Sequence, residues 1–282
     1  MWIEDAAWKA LTPVQRHAAL VHASALRGDP DSGRVASHTS AAAVWGLPRI
    51  EEWPSAVHVT TSEVRVRSSG RVIRHVAQHV PFVDREGLLV TSAARTVADV
   101  ARMSTLPEGL AAADHALRFK LCTRAELAAE LADVPPRAAG RVRLALVVDL
   151  ADPRSMSVGE SLSRAQMFVL NVPRPDLQVR YTDSGGLIGE VDFGWDGVGG
   201  EFDGKVKYAV PEGATAKEAG EMLWREKRRE DRLRRLVREV ARWTGDVALD
   251  HRRLGAVLQH HGVRPQARNT WLLVSGRGAK SA

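Results

Sequence analysis

A polar break at Asp152-Pro153-Arg154-Ser155 separates two orders of elements, and it constrains the fold more than any other feature. Before this break, from Thr91 to Ala151, the pattern is helical. After it come a helix, three segments of alternating residues, a long helix, a short strand and a last helix. The expectation is an α/β (α+β) chain of two domains, 1–152 and 153–282. The first is mostly helical with a small β-hairpin, and the second is an αβββαβ core.

Within the first domain, Trp8, Leu11, Val14, Ala18 and Val21 form one stripe of an opening helix, and a short helix follows over Thr39–Trp45. Val57, Val59, Val64, Val66, Val72 and Ile73 alternate as strands with Arg67-Ser-Ser-Gly70 as the turn. Four helices close the domain. One is capped by Thr91 and runs through Arg102, and one runs from Pro107 through Phe119. A third opens on a Thr123/Glu126 capping box, and Pro135-Pro136 sets off the fourth. In the second domain Ser157 caps a helix to Leu170, and strands are expected over 177–181, 187–195 and 198–208. A helix from Thr215, a strand over 240–243 and a helix over 252–261 complete it.

With 282 residues and 44% apolar side chains the chain is long enough to bury its own core, which excludes wholesale disorder and a disulfide-stapled miniprotein. Its longest aliphatic stretch, Leu144 to Val148, falls far short of the ~18 apolar residues a spanning helix needs, so no membrane partner is expected. Met-Trp-Ile-Glu-Asp at the start places acids where a secretion signal carries positive charge. The single cysteine, Cys122, suits a reducing compartment, and a cytoplasmic location is expected. The formal charge is +6, which favours polyanionic partners, and between Lys217 and Arg242 ten basic residues face six acidic ones.

Acids stand in strand-like surroundings in Gly189-Glu-Val-Asp-Phe-Gly-Trp195 and Gly200-Glu-Phe-Asp-Gly-Lys-Val-Lys207. Successive strand side chains alternate in direction, so Glu201, Asp203, Lys205 and Lys207 share a face, as do Glu190 and Asp192. A hairpin through Asp196–Gly200 brings Asp192 beside Glu201 or Asp203. Crowded carboxylates repel, and a hard divalent cation relieves that repulsion while polarising a phosphoryl oxygen or a bound water. A lysine on the same face steadies water or phosphate. The plainer alternative is a solvated edge with Glu and Lys paired across strands.

This arrangement resembles the PD-(D/E)XK nuclease superfamily and its restriction-endonuclease-like αβββαβ core. Val191-Asp-Phe193 followed by Glu201-Phe-Asp-Gly204 is similar to the Vsr-like branch, related to very-short-patch-repair endonucleases, over about residues 155–245. The resemblance implies catalytic roles for Asp192, Glu201, Asp203, Lys205 and Glu160. It also implies Mg²⁺, with Mn²⁺ as a substitute, held by Asp192, Glu201 and Asp203. Two registers stay open: Asp203 stands where the family's lysine follows Glu201, whereas reading Asp203-Gly-Lys205 as the motif restores the lysine. Glu160 also fits a capping box with Ser157, in which it satisfies a backbone N–H.

Lys207, Arg225, Arg228, Arg229 and Arg232 are the candidate phosphate contacts, with a solvated helix face as the alternative. Trp195, Trp224 and Trp243 suit core positions better than base stacking, and His260-His261 suits a helix end.

In the first domain, Ser37-His-Thr-Ser-Ala-Ala-Ala-Val-Trp-Gly-Leu-Pro48 and Val90-Thr-Ser-Ala-Ala-Arg-Thr-Val-Ala-Asp99 resemble segments of AbiEi-type antitoxin and transcriptional-regulator proteins over residues 30–150. Only some thirty residues precede the first match, which implies a truncated or absent winged-helix unit. Arg95 and Asp99, four apart, suit a pair on one helix. Two functions follow. One is a Mg²⁺-dependent nuclease hydrolysing DNA phosphodiester bonds in phage defence, a toxin–antitoxin system or DNA repair. The other is a non-catalytic DNA-binding regulator or antitoxin with a degenerate nuclease fold. DNA, and a cognate toxin or defence-system protein, are the expected partners.

Overall fold

A computed structural model describes residues 4–27, 34–63, 68, 71–78, 80–204 and 215–272. The chain divides into two compact units, 1–153 and 154–282. Each combines helices with a mixed sheet.

The first unit opens with α1 (Asp5–Ala10) and α2 (Pro13–Arg27). Two helices replace the one expected because Leu11 is extended and Pro13 starts the second, where its missing N–H costs nothing. Then come β1 (Val35–Ala36), α3 (His38–Trp45), β2 (Val57–Thr61), β3 (Val72–Val76), β4 (Phe82–Arg85) and β5 (Leu88–Thr91). They build a five-stranded sheet in the order β3-β2-β1-β5-β4. The expected small hairpin turning at Arg67-Ser-Ser-Gly70, between the Val64/Val66 and Val72 segments, lies largely outside the described residues, and the flanking β2 and β3 pair in parallel. Among the described residues β4 and β5 form a hairpin, closed by Glu86 and Gly87 at φ of 56° and 80°, the left-handed pair that suits the twist of a two-residue hairpin. Val64 and Val66, expected in a strand, lie outside the described residues. One core cluster joins Val21, Ala36, Ala41, Val57, Val59, Leu88 and Val90.

Four helices complete the unit: α4 (Ala93–Met103), α5 (Leu106–Arg118), α6 (Arg124–Asp133) and α7 (Arg141–Leu150). The cap of α4 is Ser92 rather than Thr91, whose hydroxyl lies 2.8 Å from that of Thr96. The Thr123/Glu126 capping box forms on α6. Gly140 precedes α7 at φ 76°, and a Cβ there would lie 2.2 Å from the carbonyl oxygen of Arg102. Gly140→Ala is therefore expected to cost about 2 kcal/mol from left-handed strain and backbone displacement. Chemical denaturation checks this, and an unchanged midpoint would refute the close approach.

The second unit runs α8 (Val158–Val169), β6 (Asp176–Asp183), β7 (Gly186–Trp195), β8 (Val198–Asp203), α9 (Ala216–Leu233), β9 (Glu239–Thr244), α10 (Gly245–Ala248) and α11 (His251–His260). Its sheet order is β6-β7-β8-β9, with antiparallel β6/β7 and β7/β8 and parallel β8/β9. The parallel pair follows from the helical crossover through α9. On one side, Ile188 and Val191 pack with Leu233 and Val237. Elsewhere Phe193, fully buried, stacks 5.4 Å from Trp243, whose indole N–H donates to Ser163 Oγ of α8 at 2.8 Å.

Candidate functional site

Asp192 on β7 and Glu201 on β8 meet where the β7–β8 ladder ends. The last pairs are Trp195 with Val198, Gly194 with Gly199 and Phe193 with Gly200. The next step would place Asp192 opposite Glu201. There the Asp192 carboxylate takes over from the main chain, its Oδ2 accepting the Phe202 N–H at 2.7 Å. Asp203 closes β8, half-buried, opposite Thr244 of β9.

Glu201 is 7% exposed, so its charge requires compensation from protein groups. Two arginines supply it. Arg229 Nη2, from α9, lies 2.9 Å from Oε1, and Arg242 Nε lies 2.9 Å from Oε2. The parallel β8/β9 register sets Glu201 beside Arg242. Arg242 was not singled out from the sequence, because a parallel register across an intervening helix has no signature in local spacing.

Glu160 is also buried. Its backbone N–H donates to Ser157 Oγ at 3.1 Å, as in a capping box. Its carboxylate departs from that motif, accepting instead from Met156 N at 2.8 Å and from Gln178 Nε2 at 2.9 Å. Gln178 sits at φ 53° inside β6, between the pairs Leu177–Phe193 and Val179–Val191, and so lies across from Asp192. A non-glycine residue held there stores roughly 1–3 kcal/mol of strain. Gln178 was also missed, since no composition signal marks left-handed backbone within a strand.

The arginines of α9 divide by what they face. Arg229 holds Glu201, and Arg232 grips Asp183 through Nε and Nη2 and reaches the Gly186 carbonyl. The Arg232 hydrogen bonds pull the Asp183 carboxyl down to about 2. These two candidate phosphate contacts are thus engaged within the unit. Arg228 is exposed beside Trp224, as is Lys227, each 6.0 Å from the ring centroid. Trp224, expected in the core, is 58% exposed, whereas Trp243 is buried and Trp195 donates to the Pro173 carbonyl. Lys205 and Lys207 lie outside the described residues, as does the side chain of Arg225. His261 pairs with Glu239 at 3.2 Å, and Arg95 with Asp99 at 2.9 Å.

The donor set bears on a divalent cation. Carboxylates that bind Mg²⁺ present oxygens to it, yet both Glu201 oxygens already face guanidinium groups. In this arrangement the residues do not fit the ion, because at least one arginine must leave first.

Residues 35–149 match the family model of the AbiEi antitoxin C-terminal domain. The chain is also 33% identical over 161 residues to uncharacterized proteins of two strains of Mycobacterium tuberculosis, an overlap of 57% of this chain and 58% of each relative. It therefore spans less than two thirds of the length of these curated relatives. No solved structure matches it.

Proposed function

We propose that this chain, with an AbiEi-type region over residues 35–149, is the antitoxin-type regulator of a toxin–antitoxin or phage-defence locus. It acts by binding a cognate toxin and DNA rather than by cutting DNA. The observation that carries binding over cutting is the pair of arginines on Glu201, which neutralises the acid a metal would need. The DNA contact in this reading is the exposed part of α9, where Lys227 and Arg228 flank Trp224: the cations neutralise phosphates and the indole offers a stacking face. No helix among the described residues is long and apolar enough to cross a membrane, in keeping with a cytoplasmic regulator.

Fluorescence anisotropy with duplex from the region upstream of the gene, without divalent metal, tests this. Binding is expected to weaken steeply with salt. Replacing Lys227 and Arg228 with alanine is expected to lower the log–log salt slope by about 2, one phosphate per cation. Metal-free binding that is absent, or a slope unchanged in the double variant, contradicts the DNA contact.

A second reading, a Mg²⁺-dependent nuclease, draws on the αβββαβ order and on the strained Gln178 between Glu160 and Asp192. It requires Arg229 or Arg242 to release Glu201, and its distinguishing result is metal-dependent cleavage by the wild type that Asp192→Ala abolishes.

A further inference from the structure

The first unit gathers three imidazoles from separate segments. In the parallel β2/β3 register Thr60 is opposite His75, so His58 and His75 stand two positions apart on the same face of the sheet. Their rings meet, with His58 Nδ1 2.9 Å from His75 Nε2. His38, the first residue of α3, adds the third ring, stacked 3.7 Å from His75 centroid to centroid. One nitrogen from each ring lies within 4.8 Å of the other two.

Three features separate this cluster from a chance meeting of core histidines. His38 holds a left-handed φ of 53°, a costly conformation for a side-chain-bearing residue, and this backbone carries its ring into the cluster. His38 Nδ1 faces away toward Ser37 Oγ at 2.9 Å and Asp99 Oδ2 at 3.8 Å, which leaves Nε2 for a ligand. Asp99 is 2% exposed. Its Oδ1 holds Arg95, and its Oδ2 accepts no hydrogen bond. A carboxylate behind the far nitrogen of an imidazole is the common support of metal-bound histidine.

We infer that His38, His58 and His75 form a zinc(II) site. Three imidazole nitrogens without thiolates suit Zn²⁺ and disfavour Mg²⁺ or Ca²⁺. Tetrahedral Zn–N bonds of ~2.1 Å separate ligand atoms by about 3.4 Å. The His58–His75 spacing is somewhat below that figure and every pair lies within 4.8 Å, so ligation requires the stacked rings to turn until their nitrogens converge. His75 is only half-buried, which leaves the fourth position to water. The ion joins β3, at the edge of its sheet, to β2 and to the start of α3.

The test uses the full chain, stripped with chelator and shown by circular dichroism to be folded. Calorimetric titration with Zn²⁺ is expected to give one equivalent per chain, and Co²⁺ the intense visible absorption of a four-coordinate site. Zinc is expected to raise the melting temperature. His75→Ala and, separately, His58→Gln are expected to weaken zinc binding by roughly 100-fold or more, and Asp99→Asn by about 10-fold. His251→Ala, exposed in the other unit, is expected to bind as the wild type does. Folded wild type that takes up no zinc, cobalt absorption of six-coordinate character, or unchanged affinity in the folded His75→Ala or His58→Gln variant overturns the site. Should either variant fail to fold, the wild-type stoichiometry and cobalt spectrum decide.

Discussion

Replacing Trp271 by alanine is expected to destabilise the second unit by roughly 3–5 kcal/mol, the range for emptying a large buried aromatic site. Trp271 is 1% exposed and heads the fully buried side chains by volume. Its indole N–H donates to the Val172 carbonyl at 2.8 Å, and its ring meets Phe168 edge-on at 5.8 Å. Arg174 lies over the same ring at 6.0 Å. The substitution removes the ring and leaves a buried carbonyl without its donor, and the two costs add. Thermal denaturation is expected to show a midpoint lower by about 10 °C or more. A loss under ~1 kcal/mol would mean that this aromatic does not anchor the segment after α11.

Glu201→Ala is expected to cost roughly 3 kcal/mol, because Arg229 and Arg242 then face one another without the carboxylate between them. Both arginine side chains are 26% exposed, so water screens part of the repulsion and the figure sits at the low end for broken buried pairs. Glu201→Gln, which keeps the shape, is expected to cost less. The sign is informative. A pocket of mutually repelling acids awaiting a cation gains stability in metal-free buffer when one acid is removed, whereas a carboxylate held by two guanidinium groups loses it. Urea denaturation in the presence of chelator separates the two cases.

The second unit was more legible in the sequence than the first. Thr215 with Glu218, and Ser157 before α8, state helix starts in local chemistry, and both caps form. Alternation likewise marked β6, β7 and β8. In the first unit the Val57 and Val72 segments were readable as strands, but their direction was not, since parallel and antiparallel partners share the same alternation. The two-residue β1 is too short for any period to register, and of β5 only the last residue, Thr91, carries a signal, which resembles a helix cap.

At the candidate site, proximity was legible and compensation was not. Hairpin geometry brought Asp192 toward Glu201, whereas the cations that meet Glu201 come from α9 and β9, 28 and 41 positions away. Likewise Arg229 and Arg232 sit among the basic residues of α9, and nothing in that run tells a cation facing solvent from one turned onto the sheet. The three histidines went unread because His38, His58 and His75 share no metal-binding spacing and converge only through β2/β3 pairing and the left-handed start of α3.

Incubation of the purified chain with supercoiled plasmid and single-stranded DNA, in Mg²⁺ and then in Mn²⁺, tests binding against cutting most directly. Both substrates are expected to stay intact, with no difference between the wild type and Asp192→Ala. Metal-dependent nicking by the wild type that disappears in Asp192→Ala would contradict the account.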